Sequence, residues 1–207
     1  MTSTTMRVQN NGASLEVYLV TKDLELRSVR EDDIPSYQSL YSDPKTMQKF
    51  VDNEFRLAQK GEEEWKKEQI EAVAKRVTMW VKRWKEGIPF SALAVYRGKD
   101  FIGHVVAGYG ENPGETEIAY IIRAEDWSKG YGSQAVEAVV QKWIPYLQQL
   151  GCLVEADNGE KHVVSTVVAT SRKDNGPSNR ILQKNGFHQI GQKEAYGLIR
   201  CVHQKKL

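Results

Sequence analysis

Apolar positions change their period several times along the chain, and each change marks an element. Leu15, Val17 and Leu19 alternate with polar residues, and Leu24, Leu26 and Val29 resume after Lys22-Asp23. Alternation of period two puts one side of a strand in a core, so one or two strands open the fold. Arg30-Glu31-Asp32-Asp33 then starts a helix, with Asp32 or Asp33 as its cap and Ile34, Tyr37, Leu40 and Tyr41 as its apolar stripe. Ser42-Asp43-Pro44 ends that helix and begins a short one, because the first helical position needs no N–H. Between 60 and 86, Trp65, Ile70, Val73, Val77, Trp80, Val81 and Trp84 fall at helical spacing, while Lys66, Lys67, Lys75, Lys82, Arg83 and Lys85 occupy the other face. Glu62-Glu63-Glu64 opens this helix and Gly87 stops it. Its charge run reads as a solvated face and its tryptophans as core.

The second half begins with a hairpin, Phe90–Tyr96 and Phe101–Tyr109, turning at Gly98-Lys99-Asp100. Asn112-Pro113-Gly114 turns the chain into a fourth antiparallel strand, Ile118-Ala119-Tyr120-Ile121-Ile122. A long amphipathic helix follows, and Pro145 inside it predicts a kink near Lys142 or a break there. Residues 151–160 form a polar link, and the β-branched run from His162 to Ala169 reads as a buried central strand. Asn175-Gly176-Pro177-Ser178 starts a last helix that ends at Gly186-Phe187, and His188 to His203 closes the fold as a pair of strands. These elements predict an α/β (α+β) fold with a mixed, mostly antiparallel central sheet of about six to seven strands flanked by helices. Residues 1–13 are small and polar and read as a flexible N-terminal tail, leaving 14–207 as a single domain with a helical elaboration at about 60–86.

Composition narrows the function classes. Hydrophobic residues at 40% and charged residues at 27% describe an ordinary globular protein. The net charge of +2 is spread along the chain, which speaks against nucleic acid as a partner. No apolar run is long enough to span a membrane and no charged-then-apolar leader opens the chain, so the expectation is a cytoplasmic protein with no membrane partner. Cys152 and Cys201 read as reduced thiols. His104, His162, His188 and His203 lack metal-ligand spacing, so no metal is expected.

Candidate chemistry gathers where the fourth strand runs through Trp127-Ser128-Lys129-Gly130-Tyr131-Gly132-Ser133 into a helix. The first N–H groups of a helix have no partner within it and favour an anion. Gly130 and Gly132 lack the Cβ that would hold a ligand off the backbone, and Lys129 adds positive charge. With 16 glycines in 207 residues, about one Gly-x-Gly arises by chance, and Gly108-Tyr109-Gly110 is such a copy. The segment Gly130-Tyr131-Gly132-Ser133-Gln134-Ala135 also fits the dinucleotide fingerprint, with Glu155 near the place of the ribose-binding acid. That reading makes the chain an oxidoreductase, but the fingerprint belongs to a βαβ unit and the preceding strands here are joined by hairpins.

Three segments in order carry a family resemblance. Glu117-Ile118-Ala119-Tyr120, the loop from Trp127 to Ala135, and Asn175 to Phe187 resemble successive motifs of the GNAT superfamily of N-acyltransferases, in the branch of ribosomal-protein N-terminal acetyltransferases. Leu24-Glu25-Leu26-Arg27, Asp32-Asp33 and Ser42-Asp43-Pro44 fit the same branch. The resemblance implies acetyl-CoA as co-substrate and direct transfer of an acetyl group to a primary amine on a protein N-terminus or a small molecule. It implies that backbone amides of Lys129, Gly130, Tyr131, Gly132 and Ser133 hold the pyrophosphate. Tyr120, Ile121 and Ile122 would pair with the pantetheine, with an N–H at Ile121 or Ile122 facing the oxyanion, and Asn175 and Ser178 would lie at the cofactor. Glu117 is the candidate base, equally readable as a surface ion-pair partner. Many members place a tyrosine acid where this chain has Leu182, so Ser178 or Tyr196 would replace it; both also have plain structural readings, as a helix cap and a core tyrosine. Trp127 stands where the superfamily usually has Gln or Arg. A non-catalytic acyl-CoA sensor of the same fold is the other alternative, and the assembly would be a monomer or a homodimer.

Overall fold

The computed structural model describes residues 4–155 and 159–207. The chain runs β1 (Thr5–Asn10), β2 (Leu15–Val20), β3 (Glu25–Ser28), α1 (Ile34–Ser42), α2 (Pro44–Met47), α3 (Asn53–Lys60) and α4 (Glu62–Lys85). It continues with β4 (Ala92–Arg97), β5 (Asp100–Tyr109), β6 (Glu115–Ile122), α5 (Tyr131–Ala138), α6 (Ile144–Gln149), β7 (Leu153–Glu155), β8 (Lys161–Val163), β9 (Thr166–Arg172), α7 (Gly176–Lys184), β10 (His188–Ala195) and β11 (Leu198–Lys206). Among the described residues, nine strands form one sheet in the order β1-β2-β3-β4-β5-β6-β9-β11-β10, and β7 and β8 form a separate pair. Every neighbour in the large sheet is antiparallel except β6 and β9.

Strand parity gives the sheet two faces. His104 on β5 lies opposite Ile121 on β6, and its ring packs among Tyr37 of α1, Tyr41 of α1 and Trp80 of α4. Glu117, Ala119 and Ile121 therefore share the face covered by α1 and α4. Tyr120 points the other way, where its hydroxyl meets Ser178 of α7. Gln134 of α5 bonds Asp23 and Thr21 at the β2–β3 turn, which lays α5 along the sheet. Trp84 and Trp143, both buried, meet with ring centroids 6.0 Å apart and join α4 to the segment after α5.

Several expectations are corrected. The stretch read as a flexible tail contains β1, whose six residues pair with β2 from Thr5↔Val20 to Asn10↔Leu15. An edge strand needs backbone pairing and few buried side chains, so its polar composition concealed it. The run from His162 to Ala169 is divided: Lys161–Val163 is an exposed strand paired with β7, and the central strand starts only at Thr166. Strand β7 occupies part of the polar link, whose residues 156–158 lie outside the described residues. Asp33 makes no side-chain cap on α1. Its carboxylate accepts instead from Arg27, Tyr96 and the Arg30 N–H. Asp43 does cap α2, accepting from the N–H groups of Lys45 and Thr46. Pro145 interrupts the long helix as its missing N–H requires: the chain widens into a π-helical turn over Val139–Trp143, and α6 restarts with proline in its first turn.

His104 is 1% exposed, and its Nε2 lies 3.3 Å from the Tyr41 hydroxyl. Burial, aided by Arg76, lowers its pKa from 6.5 to about 3. The folded ring stays neutral while an unfolded histidine would bind a proton, so stability falls as pH drops from 6.5 toward 3. Between pH 6.5 and 4.5 this one group should cost about 2 kcal/mol. His104→Phe should therefore lose less stability over that interval than the parent in denaturant titrations. An unchanged pH dependence would refute the assignment.

Candidate active site

Strands β6 and β9 are held together by three registered pairs, Glu115↔Thr166, Thr116↔Val167 and Glu117↔Val168. Beyond them Ile118 to Ile122 and Ala169 to Arg172 run on without pairing to one another, and the sheet opens as a V. Backbone direction along the open edge follows from two contacts. The Arg123 N–H donates to the Ile102 carbonyl at 2.8 Å, and the Ile121 carbonyl points at Gly103, where an added Cβ would lie 2.0 Å from it. Ile121 thus spends its peptide groups on β5, whereas Ile118, Tyr120 and Ile122 direct theirs into the gap. The Ile122 carbonyl is taken by the indole N–H of Trp127 at 2.7 Å. That bond ties the following loop to the end of the strand.

The loop then coils into α5. Ser128 (φ +62°) and Gly130 (φ +82°) are both left-handed, and Gly130 occupies the N-cap without a side chain. Among the described residues no acceptor meets the N–H groups of Lys129 to Ser133, and the first bond of the helix is Gln134 N–H to the Gly130 carbonyl. These amides form an anion cradle. The two glycines have different tasks. Gly130 supplies a backbone angle, whereas a Cβ on Gly132 would stand 3.0 Å from Cδ1 of Ile181, so Gly132 lets α7 approach α5.

Behind the cradle Asp126, 2% exposed, holds three cations: Arg97 Nη1 at 3.0 Å, Lys129 Nζ at 3.0 Å and Arg123 Nε. Burial alone would raise its carboxyl, but hydrogen bonds from Arg123 and Lys129 outweigh that and hold it below the usual carboxylate range. Arg97 also pairs with Asp100 at 3.2 Å, and three cations against two carboxylates leave the surroundings of the cradle positive.

On the same face as α7, the Tyr120 hydroxyl lies 2.9 Å from Ser178 Oγ and 3.2 Å from the Ser178 carbonyl. Burial pushes the Tyr120 pKa up to about 12, with the Ser178 bond opposing the shift. The Asn175 side chain caps α7 by accepting the Ser178 N–H at 3.2 Å, which leaves the serine hydroxyl for Tyr120. Ser171, Asn179 and buried His203 bond to one another and fasten α7 to β9 and β11.

The opposite face of the gap carries Glu117. Burial raises its pKa, against the opposing charges of Lys193 and Arg200 and a hydrogen bond with Thr170. Thr170 also accepts from Arg200, whose Nε and Nη2 reach its side-chain and backbone oxygens at 3.2 and 3.1 Å. Tyr196 stands at the tip of the β10–β11 hairpin, in the two-residue turn between Ala195 and Leu198, and its ring lies 5.7 Å from the Arg200 guanidinium. At 63% exposure it is a surface residue, where the core reading of the sequence had buried it. Arg172 pairs with Glu54 of α3 and with Asp174, and Lys49 joins the same carboxylates.

A family model described as an acetyltransferase (GNAT) domain matches residues 23–188. The chain belongs to the GNAT acetyltransferase family. No curated protein matches it by sequence. Its fold is similar to several solved structures. One is the RimL ribosomal L7/L12 alpha-N-protein acetyltransferase in complex with coenzyme A (18% identity, 91% of this chain and 96% of that one, TM-score 0.63). Another is the ribosomal-protein-S5-alanine acetyltransferase from Vibrio fischeri (15% identity, 91% and 96%, TM-score 0.64). A third is the microcin C7 self-immunity acetyltransferase MccE in complex with acetyl-CoA and AMP (14% identity, 90% and 93%, TM-score 0.63).

Within this GNAT fold the candidate residues divide between the faces. Lys129 to Ser133, Asn175, Ser178 and the Tyr120 side chain gather on the α5–α7 side, Glu117 and Tyr196 lie on the other, and Leu182 is fully buried in the core. Asp126, Thr170, Arg200 and the Tyr120 hydroxyl escaped the sequence reading. The strand parity of Tyr120 relative to Glu117 was the available signal for the last of these. Asp126→Asn should leave three cations around a neutral amide and cost about 1–3 kcal/mol near pH 7. Because the folded pKa of Asp126 is lowered, the stability it contributes is present above the ordinary aspartate value and lost as pH falls below it. Parent and variant should therefore converge in stability under acid. A constant difference across pH would mean the hub contributes by packing alone.

Proposed function

We propose that this chain transfers an acetyl group from acetyl-CoA to a primary amine by direct transfer, with a protein N-terminus or a small molecule as the acceptor. One observation carries the reading: the gap between β6 and β9 lies between a cradle of free N–H groups on one face and a half-buried carboxylate, Glu117, on the other. Coenzyme A and acetyl-CoA in the RimL and MccE structures support the co-substrate, and the ribosomal-protein acetyltransferases among the similar folds support a protein N-terminus.

The residues present suit coenzyme A. Its pyrophosphate matches the unpaired amides of Lys129 to Ser133 and the cations on Asp126. Its pantetheine amides match the strand edge at Ile118, Tyr120 and Ile122. The thioester supplies an activated acyl group when bound. An amine is protonated near neutral pH and attacks only after losing a proton. Glu117 accepts that proton, directly or through one water, and burial makes it a stronger base than an exposed carboxylate. The Ile122 N–H faces the gap and stabilises developing negative charge there. The Tyr120 hydroxyl remains protonated, with its pKa near 12, and together with Ser178 holds a proton on the side where Leu182 has displaced the family's tyrosine.

The dinucleotide reading loses its acid, since Glu155 lies on the β7–β8 pair in an exposed ion pair with Lys161 at 2.9 Å. An acyl-CoA sensor would bind coenzyme A tightly and release no thiol with any amine. Thiol release from acetyl-CoA should instead accelerate with a primary amine, and Glu117→Gln should lower kcat by about 100-fold. The acidic limb of the parent's pH profile should lie above the ordinary glutamate value and vanish in the variant. The folded pKa of Glu117 is raised, so its charged form opposes folding at neutral pH and its neutral form does not at low pH. Glu117→Gln should accordingly melt no lower than the parent near pH 7. Full activity in this variant would remove Glu117 from the mechanism.

A further inference from the structure

Arg172 and Arg200 are registered partners on β9 and β11, pointing from the same face of the sheet. Each is buried, at 7% and 8% exposure, and each lies beneath an aromatic ring from a flanking element: Phe55 of α3 over Arg172 at 5.8 Å and Tyr196 over Arg200 at 5.7 Å. Their counter-charges differ. Arg172 pairs with two carboxylates, at 3.0 Å to Glu54 and 2.8 Å to Asp174. Among the described residues Arg200 makes no ion pair. Its Nε and Nη2 are spent on Thr170, and its buried Nη1 has no hydrogen-bond partner. Glu117 attracts it from beyond Thr170 but makes no ion pair with it, and a buried guanidinium whose fork no anion fills is costly.

The place of this unfilled fork suggests what completes it. Thr170 lies between Arg200 and Glu117, contacting both. The three side chains lie on a diagonal across β11, β9 and β6 on the amine side of the gap: Glu117 is level with Val168 and Arg200 with Arg172, and the long arginine side chain reaches back along the strands to Thr170. We propose that Arg200 binds a carboxylate of the acceptor, whose reacting amine lies a few bonds away at Glu117. The Tyr196 ring, exposed on a two-residue turn, covers the guanidinium in the free protein and moves aside when the carboxylate enters. The ligand chemistry is an amine and a carboxylate on one short backbone. It occurs in free amino acids and dipeptides, and in peptides with an acidic side chain next to their N-terminus.

The inference rests on the acetyl-transfer reading and is tested so that the two fail separately. Thiol release from acetyl-CoA is measured with two matched acceptor pairs: a dipeptide against its C-terminal amide, and a blocked-end peptide with Glu against Gln at its second residue. The parent protein should prefer the carboxylate member of at least one pair by about 10-fold or more in kcat/KM, and the pair showing the preference identifies the source of the carboxylate. Arg200→Gln should bring that ratio to within about 2-fold, and Arg200→Lys, which keeps a charge but not the fork, should leave an intermediate ratio. Equal rates within both pairs in the parent would overturn the inference whether or not the variants fold, as would a preference retained in Arg200→Gln. No thiol release with any amine would instead overturn the acetyl-transfer reading itself.

Discussion

Three parallel residue pairs join two otherwise antiparallel halves of the sheet, and the remainder of the site depends on their stopping at Glu117↔Val168. A sheet normally satisfies its interior peptide groups by pairing, so a V between two central strands exposes donors and acceptors that need other partners. Among the described residues the fold compensates at the rim, where Trp127 donates its indole N–H to the Ile122 carbonyl. Inside the V the edge of β6 stays available. A longer parallel register would bury that edge against β9 and close the passage between the two faces.

The two faces differ in how their charges are arranged. Around the start of α5, free amides and the cations gathered on Asp126 favour an anion, and Gly132 lets α7 pack close enough to place Ser178 against Tyr120. Across the sheet half-buried Glu117 and buried Arg200 stand beside one threonine, and desolvation moves both pKa values toward their neutral forms. Burial of opposite charges two strands apart suits a site that neutralises them with a ligand more than one that relies on them for stability.

Local chemistry with a strong directional signature was legible in the sequence. Asp43-Pro44, Asn175 before Ser178, the spacing of Trp65 to Trp84 and the break at Pro145 all act within one or two turns of chain, and each appears where backbone physics requires it. Strand β1 was missed because pairing at an edge asks little of side chains. The run ending at Val163 was misassigned because β-branched residues state a preference for extended backbone without naming a partner. The site was legible as motifs but not as two faces. Thr170 and Arg200 meet only after α7 and the β10–β11 hairpin have brought distant segments together, and no local pattern encodes such a meeting; Asp126 has Arg123 and Lys129 three residues away on either side, and only its third partner, Arg97, comes from a distant strand.

The proton donor illustrates the limit of motif reading. Leu182 removes the tyrosine from α7, and the chain offers Tyr196 and Ser178 as replacements that sequence alone could not separate. Parity separates them: Tyr196 covers an arginine on the Glu117 face, whereas Ser178 reaches the gap from the α7 face through Tyr120. In the proposed transfer a base takes the amine proton and an acid protonates the leaving thiolate, so the two must reach different atoms and can stand on opposite sides of the gap. Tyr120 meets that requirement, one strand position from the edge that faces Ile122, with its hydroxyl kept protonated by the burial that raises its pKa. Under the proposed reading the chain has moved its acid from the helix to the strand, and Ser178 is retained to orient the hydroxyl that replaced it.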